Sequence, residues 1–141
     1  MMSNNSIALK IITVEDSPIV VDRVQSLLNE ISSTEFKGNA TNISSALNLI
    51  KVEQPDVVIL DISLEEDKPR ASGINLLIDI RKKYPDLIII MFTNLSEPQY
   101  RNSCMALGAN YFFDKSNEFE KITEVLEEVI KNREQVKKLA I

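Results

Sequence analysis

The sequence predicts an α/β fold: a parallel sheet with helices on both faces. Three observations carry that reading. Short apolar runs rich in β-branched residues recur from Ile7 to Val14, Val57 to Leu60, Ile88 to Phe92 and Tyr111 to Phe113. Each runs into polar or charged residues, namely Glu15-Asp16, Asp61, Thr93 and Asp114-Lys115. Between the runs, apolar residues return every three or four positions, the spacing of a helix with one buried face. Short links between strands and helices demand right-handed crossovers, and hence a parallel sheet covered on both sides.

The elements follow in order. The first strand covers about Ala8 to Val14. Ser17 caps a helix with Pro18 in its first turn, and Val20, Val24, Leu27, Leu28 and Ile31 carry its inner face to about Ser32. A weak second strand from about Glu35 to Thr41, with Gly38 inside it, reads as an edge strand. Asn42 caps the second helix, Ile43 to Glu53, with Ala46, Leu47 and Ile50 inward, and Pro55 stops it. The third strand, Val57 to Leu60, is too short for a helix and reads as buried on both faces. Residues 62–73 are charged and without pattern, so they read as a loop. The third helix spans Ile74 to Tyr84, with Leu77 and either Ile78 or Ile80 inward, until Pro85-Asp86 breaks it. The fourth strand is Leu87 to Thr93. The fourth helix starts at Glu97-Pro98 and ends at Leu107-Gly108, with Gly108 at the helix stop. The fifth strand is Asn110 to Asp114, and Ser116 or Asn117 caps a last helix from about Glu118 to Lys138.

Composition limits the function classes. A chain of 141 residues suits one domain with a sizeable core. We expect a disordered lead at 1–6, the domain at 7–131 and a helical extension at 132–141. The polar start and tapering end suggest a complete chain. A formal net charge of −5 argues against direct binding of nucleic acid or anionic membrane. With no histidine, the chain has no imidazole for catalysis, metal binding or phosphorylation. One cysteine, Cys104, forbids an intrachain disulfide and suits the cytoplasm; its helical position suggests a buried apolar group. No apolar run reaches the length of a membrane span.

In open parallel sheets, chemistry sits beyond the carboxyl ends of the strands. Three acids, a hydroxyl and an ammonium at four such ends describe a site for a cation and a phosphate. These residues, Glu15-Asp16, Asp61, Thr93 and Lys115 in that order, resemble the receiver domain of two-component response regulators. The resemblance covers about residues 7–130. It extends to Ser72-Gly73, to Gly108-Ala109 and to Phe112, three residues before Lys115.

The resemblance implies a flavodoxin-like (βα)5 fold with sheet order 2-1-3-4-5, in which the first and third strands lie side by side. It implies Mg²⁺ held by Asp16, Asp61 and the backbone carbonyl of Ser63, with Glu15 acting directly or through water. Asp61 would accept a phosphoryl group from the phosphohistidine of a sensor histidine kinase or phosphotransfer protein. Lys115 and Thr93 would contact that group. Thr93 and Phe112 would relay its arrival to the fourth helix, fifth strand and fifth helix, a surface for a downstream protein or a homodimer. Such a protein is a regulator, not an enzyme acting on other substrates. From the residues alone, Phe112 reads equally as a switch and as a permanently buried ring.

Some positions depart from the family pattern. The loop after Asp61 is longer than usual, and Glu65 stands where proline is common. Asn94 is larger than the usual residue after Thr93, and Ser116 stands where proline is frequent. Ser63 and Leu95 occupy positions that tune phosphate lifetime. Rival readings fare worse. A dehalogenase-like phosphatase needs a second Asp two residues after the nucleophile, where Ser63 stands. A flavodoxin-like carrier needs a hydroxyl-rich phosphate loop, and Glu15-Asp16 would repel the flavin phosphate. A receiver-like interaction domain that is never phosphorylated is the remaining alternative.

The last helix goes further than its domain requires. Phe119, Ile122, Leu126, Val129 and Ile130 should face the sheet. The pattern continues through Val136 and Ala140 among Lys131, Arg133, Lys137 and Lys138, projecting roughly 12 Å. It reads either as a solvated helix end or as part of a homodimer or target surface.

Overall fold

The computed structural model describes residues 7–64 and 71–139. The expectations for residues 1–6, for Glu65 and the rest of 65–70, and for Ala140 fall outside them. The elements are β1 (Leu9–Val14), α1 (Pro18–Asn29), β2 (Thr34–Ala40), α2 (Ile43–Glu53), β3 (Val57–Leu60), α3 (Ser72–Lys83), β4 (Ile88–Thr93), α4 (Pro98–Ala106), β5 (Tyr111–Asp114) and α5 (Lys121–Leu139). The strands form one parallel sheet, as the sequence predicts, in the order β2-β1-β3-β4-β5 that the resemblance implies, with β2 at an edge.

Alternation along the central strands splits the core in two. Ile12, Val14, Val58, Leu60, Ile89 and Met91 face Ala46, Ile50, Leu76, Leu77, Ile80 and Cys104. Leu9, Ile11, Val57, Ile59, Ile90 and Phe92 face Val24, Leu28, Ile122, Val125 and Leu126. Helices α2, α3 and α4 thus cover one face, and α1 and α5 the other. Each such aliphatic side chain contributes about 1.5–3 kcal/mol by leaving water. Ile80, not Ile78, is the fully buried member of its pair.

Local chemistry sets several boundaries. Ser17 accepts from the amide of Val20, and Asn42 and Ser45 cap α2 reciprocally. Helix α1 stops at Asn29, short of the predicted Ser32. Ser33 turns the chain with φ +71°, and the Thr34 hydroxyl bonds the carbonyls of Leu28 and Ile31. Helix α3 begins at Ser72, two residues before Ile74. Helix α5 begins at Lys121, later than the predicted Glu118, and Ser116 and Asn117 do not cap it. Their groups bond back instead: Asp114 Oδ1 accepts from the Ser116 amide, and Asp114 Oδ2 accepts from the Asn117 side chain. Side chains that satisfy a turn in this way compete with helix formation.

In β2 the pairing slips by one residue. Ile11 faces Phe36, but Ile12 faces Gly38, so Lys37 is the extra residue of a β-bulge. Gly38 sits at φ +136°, a conformation that favours glycine. Beyond the bulge, Thr13 is paired with Asn39 and Val14 with Ala40.

Candidate acidic site at the carboxyl edge of the sheet

Register brings the strand ends together. Val14 faces Leu60, and the Asp61 amide donates to the Val14 carbonyl at 3.1 Å. Glu15 and Asp61 therefore leave the sheet side by side. Thr93 faces Asp114, and the Lys115 amide donates to the Thr93 carbonyl at 3.0 Å. All five residues singled out in the sequence lie around one edge.

The Lys115 ammonium bridges two carboxylates, with Nζ 2.7 Å from Glu15 Oε1 and 2.8 Å from Asp61 Oδ2. Both acids are 5% exposed, so water screens these contacts weakly. The second oxygen of each acid accepts from a backbone amide: Ser17 for Glu15, at 3.0 Å, and Ser63 for Asp61, at 3.1 Å. Asp16 completes the cluster, in which carboxylate oxygens of Glu15, Asp16 and Asp61 lie within 4.8 Å of one another. Asp16, Asp61, Ser63, Thr93 and Lys115 line one cleft, with Asn94 and Leu95 beside them. The Asn94 carboxamide accepts from the Ser116 hydroxyl at 3.3 Å on its rim.

Electrostatics follow from that packing. Burial pushes the Glu15 carboxyl above its ordinary range; its hydrogen bond to Lys115 opposes the rise, and nearby Asp61 adds to it. Burial alone would depress the Lys115 ammonium, but Asp61 and Glu15 outweigh it and hold the group above its ordinary value. Three carboxylates against one ammonium leave a formal double negative charge. A hard dication with oxygen ligands fits that donor set, and Mg²⁺ takes few carboxylates and keeps water.

Thr93 is fully buried, and its hydroxyl oxygen accepts from the Leu95 amide at 3.1 Å. Phe112 is 3% exposed and packs in the α4-side core. Arg101 of α4 covers it, the guanidinium carbon 4.8 Å from the ring centroid and Nη1 donating to the Phe112 carbonyl at 3.1 Å. Gly73 lets α3 approach the loop after Asp61, where an added Cβ would collide with the Asp61 carbonyl and with Ile62. The start of that loop is anchored, because Ile62 and Leu64 are buried in the core.

Two residues escaped sequence reasoning. Asn39, in the edge strand, donates its carboxamide Nδ2 to the Glu15 carbonyl at 2.9 Å. Arg101, in α4, carries no motif or spacing that sets it apart in the sequence. In both cases the partners come from other elements, so no local pattern announces them.

The family model for the response regulator receiver domain matches residues 11–127. The protein-glutamate methylesterase/protein-glutamine glutaminase of Clostridium acetobutylicum is 30% identical over 125 residues, covering 87% of this chain and 35% of that protein. The probable C4-dicarboxylate response regulator DctR of Bacillus subtilis is 27% identical over 118 residues, covering 84% of this chain and 50% of that protein. The chain thus spans about a third to a half of these relatives. NtrX from Brucella abortus superposes with a TM-score of 0.77 at 28% identity, covering 94% of this chain and 29% of the other. The response regulator domain of Thermotoga maritima CheB has the same fold, with a TM-score of 0.73 at 23% identity, covering 89% of this chain and 95% of the other.

Proposed function

The chain belongs to the response regulator receiver domain family, and on that premise we propose that Asp61 is its phosphoacceptor. Family membership makes the chain a phosphorylation-dependent signalling module. The observation that supports the assignment to Asp61 is the Lys115 ammonium bridging Glu15 and Asp61, with Asp16 in the same acidic cluster.

A carboxylate oxygen of Asp61 attacks the phosphorus of a phosphohistidine on a histidine kinase or phosphotransfer protein. The new P–O bond makes an acyl phosphate. The P–N bond breaks, and its electron pair returns to the partner's imidazole. Such transfer needs positioning and charge neutralisation more than covalent help. The Ser63 amide orients Asp61, and Lys115 already stands where it can neutralise phosphoryl oxygens. Asp16, Asp61 and the Ser63 carbonyl, with Glu15 directly or through water, would hold Mg²⁺, which would add to that neutralisation. The buried Thr93 hydroxyl turns to donate to the phosphoryl group, drawing the loop at Asn94 and Leu95 inward. The change reaches α4, β5 and α5, the face for a downstream protein or a second copy. The chain acts on no other substrate, and the cytoplasm suits its kinase partner. Among the described residues no helix is long and apolar enough to cross a membrane.

Incubation with acetyl phosphate and Mg²⁺ should add one phosphoryl mass, which Asp61→Asn should lose. Labelling of that variant at the wild-type rate would overturn the assignment. The rival reading, an interaction domain that is never phosphorylated, has one observation in its favour. Phe112 is already buried, so the face beside it is set before any phosphoryl group arrives. Absence of labelling in the wild type would select that reading.

A further inference from the structure

The β1–β2 ladder continues one residue past β1. The Glu15 amide donates to the Ala40 carbonyl at 2.9 Å, and the Glu15 carbonyl accepts from Asn39 Nδ2 at 2.9 Å. The edge strand thus grips Glu15 from both sides of its backbone, where the chain turns away into α1. The orientation of the Asn39 carboxamide is itself determined. Its Oδ1 accepts from the Thr13 hydroxyl at 2.6 Å, and Thr13 is 1% exposed. The Glu15 carbonyl can only accept, so the NH₂ group must face it, and Oδ1 then faces Thr13, whose hydroxyl is free to donate. The bulge at Gly38 supplies the register. Continuing the pairing of Ile11 with Phe36 without a slip would put Gly38 opposite Thr13 in place of Asn39.

We propose that Asn39 is the positioning residue of the acidic turn. It holds the Glu15 backbone so that the Glu15 carboxylate meets Lys115 and the Ser17 amide, and Asp16 stays beside Asp61. It touches no reacting group and acts through the turn. Its effect on phosphoryl uptake rests on the reading of Asp16 and Asp61 as a Mg²⁺ site. Its grip on the turn does not.

Asn39→Leu, Asn39→Asp and Thr13→Val in the full chain test this. Mg²⁺ affinity is measured by calorimetry, and exchange of the Ser17 amide is followed in metal-free protein. Asn39→Leu should weaken Mg²⁺ about tenfold, the low end for losing a group that orients a metal ligand. It should also speed Ser17 exchange, since that amide bonds Glu15 Oε2. Asn39→Asp separates positioning from charge. An added carboxylate would by charge alone tighten Mg²⁺ binding. Facing the Glu15 carbonyl with an acceptor, it should instead displace the turn and weaken binding. Thr13→Val should give a smaller change in the same direction. Wild-type affinity and wild-type Ser17 exchange in Asn39→Leu, or tighter Mg²⁺ binding in Asn39→Asp, would overturn the proposal. Should Asn39→Leu fail to fold, unchanged affinity and exchange in Thr13→Val would overturn it. If the wild type itself bound no Mg²⁺, the phosphoacceptor reading would fail, while Ser17 exchange would still decide what Asn39 does.

Discussion

Cys104 shows what a single buried group does to stability. It is fully enclosed on the α4 side of the sheet, and burial raises its pKa from 9.0 to about 11. This bears out its reading as a small apolar group. In the unfolded chain the thiol loses its proton near 9.0; in the fold it keeps it until about 11. The native state therefore binds more protons in that window, and stability falls as pH rises through it. Two pKa units correspond to about 2–3 kcal/mol. Lys115 acts in the same direction at higher pH: its stabilising ion pairs are intact below 10.5 and are lost as pH climbs through its raised folded value. Urea unfolding at pH 9.0 and 10.5 isolates the thiol. The wild type should lose more stability between the two than Cys104→Ala does. Equal losses would refute the buried-thiol account.

Between elements, Arg101 does the work that its helix cannot. Helix α4 is short, with one fully buried side chain, Cys104. Arg101 ties it to β5 through the Phe112 ring and carbonyl, and to the following loop through Glu118 at 3.4 Å. Glu118 Oε1 also accepts from the Asp114 amide at 3.1 Å, so this clamp touches the segment that carries Lys115. The Arg101 side chain is 45% exposed, and its ion pair with Glu118 contributes little. The ring contact and the carbonyl hydrogen bond should together contribute about 1–2 kcal/mol. Arg101→Ala should lower stability by that amount and speed amide exchange across α4. Unchanged exchange there would mean that the clamp does not hold the helix. The same clamp bears on the two readings of Phe112, because in this structure it holds the ring inward.

For the whole molecule, the open question of organisation is the end of α5. The helix runs to Leu139, and Val136 and Leu139 are 64% and 86% exposed, so the apolar stripe outlasts the sheet that buries it. Arg133 pairs with Asp56, just before β3, at 3.3 Å, with both side chains about one third exposed. Such a pair contributes at most about 1 kcal/mol. We propose 7–131 as the domain and 132–141 as an extension of it. Asn132, Arg133 and Val136 lie at the end of the sheet opposite the acids, beside Leu9, Asp56 and Ile88. Removing residues 132–141 should leave the rate of phosphoryl uptake unchanged and lower stability by about 1 kcal/mol or less. A slower rate would show that the overhang bears on the acidic site. Sedimentation of both chains with a phosphoryl mimic would reveal whether a homodimer through α4, β5 and α5 uses it.

The sequence by itself determined the order of elements, the parallel sheet and the five side chains at its carboxyl edge. Those features are written locally. An apolar run that stops at Asp61 or Thr93 places that residue at a strand end, and alternation of strand and helix compels every strand to point the same way. The tertiary structure alone decided how the acids are held. The Glu15 carbonyl meets a carboxamide 24 residues away, and the carbonyl of Phe112 in β5 meets a guanidinium 11 residues away on helix α4. Neither contact follows any periodicity. Even the register that puts Asn39 opposite Thr13 depends on one bulge at Gly38, and a bulge becomes visible only once two strands are paired.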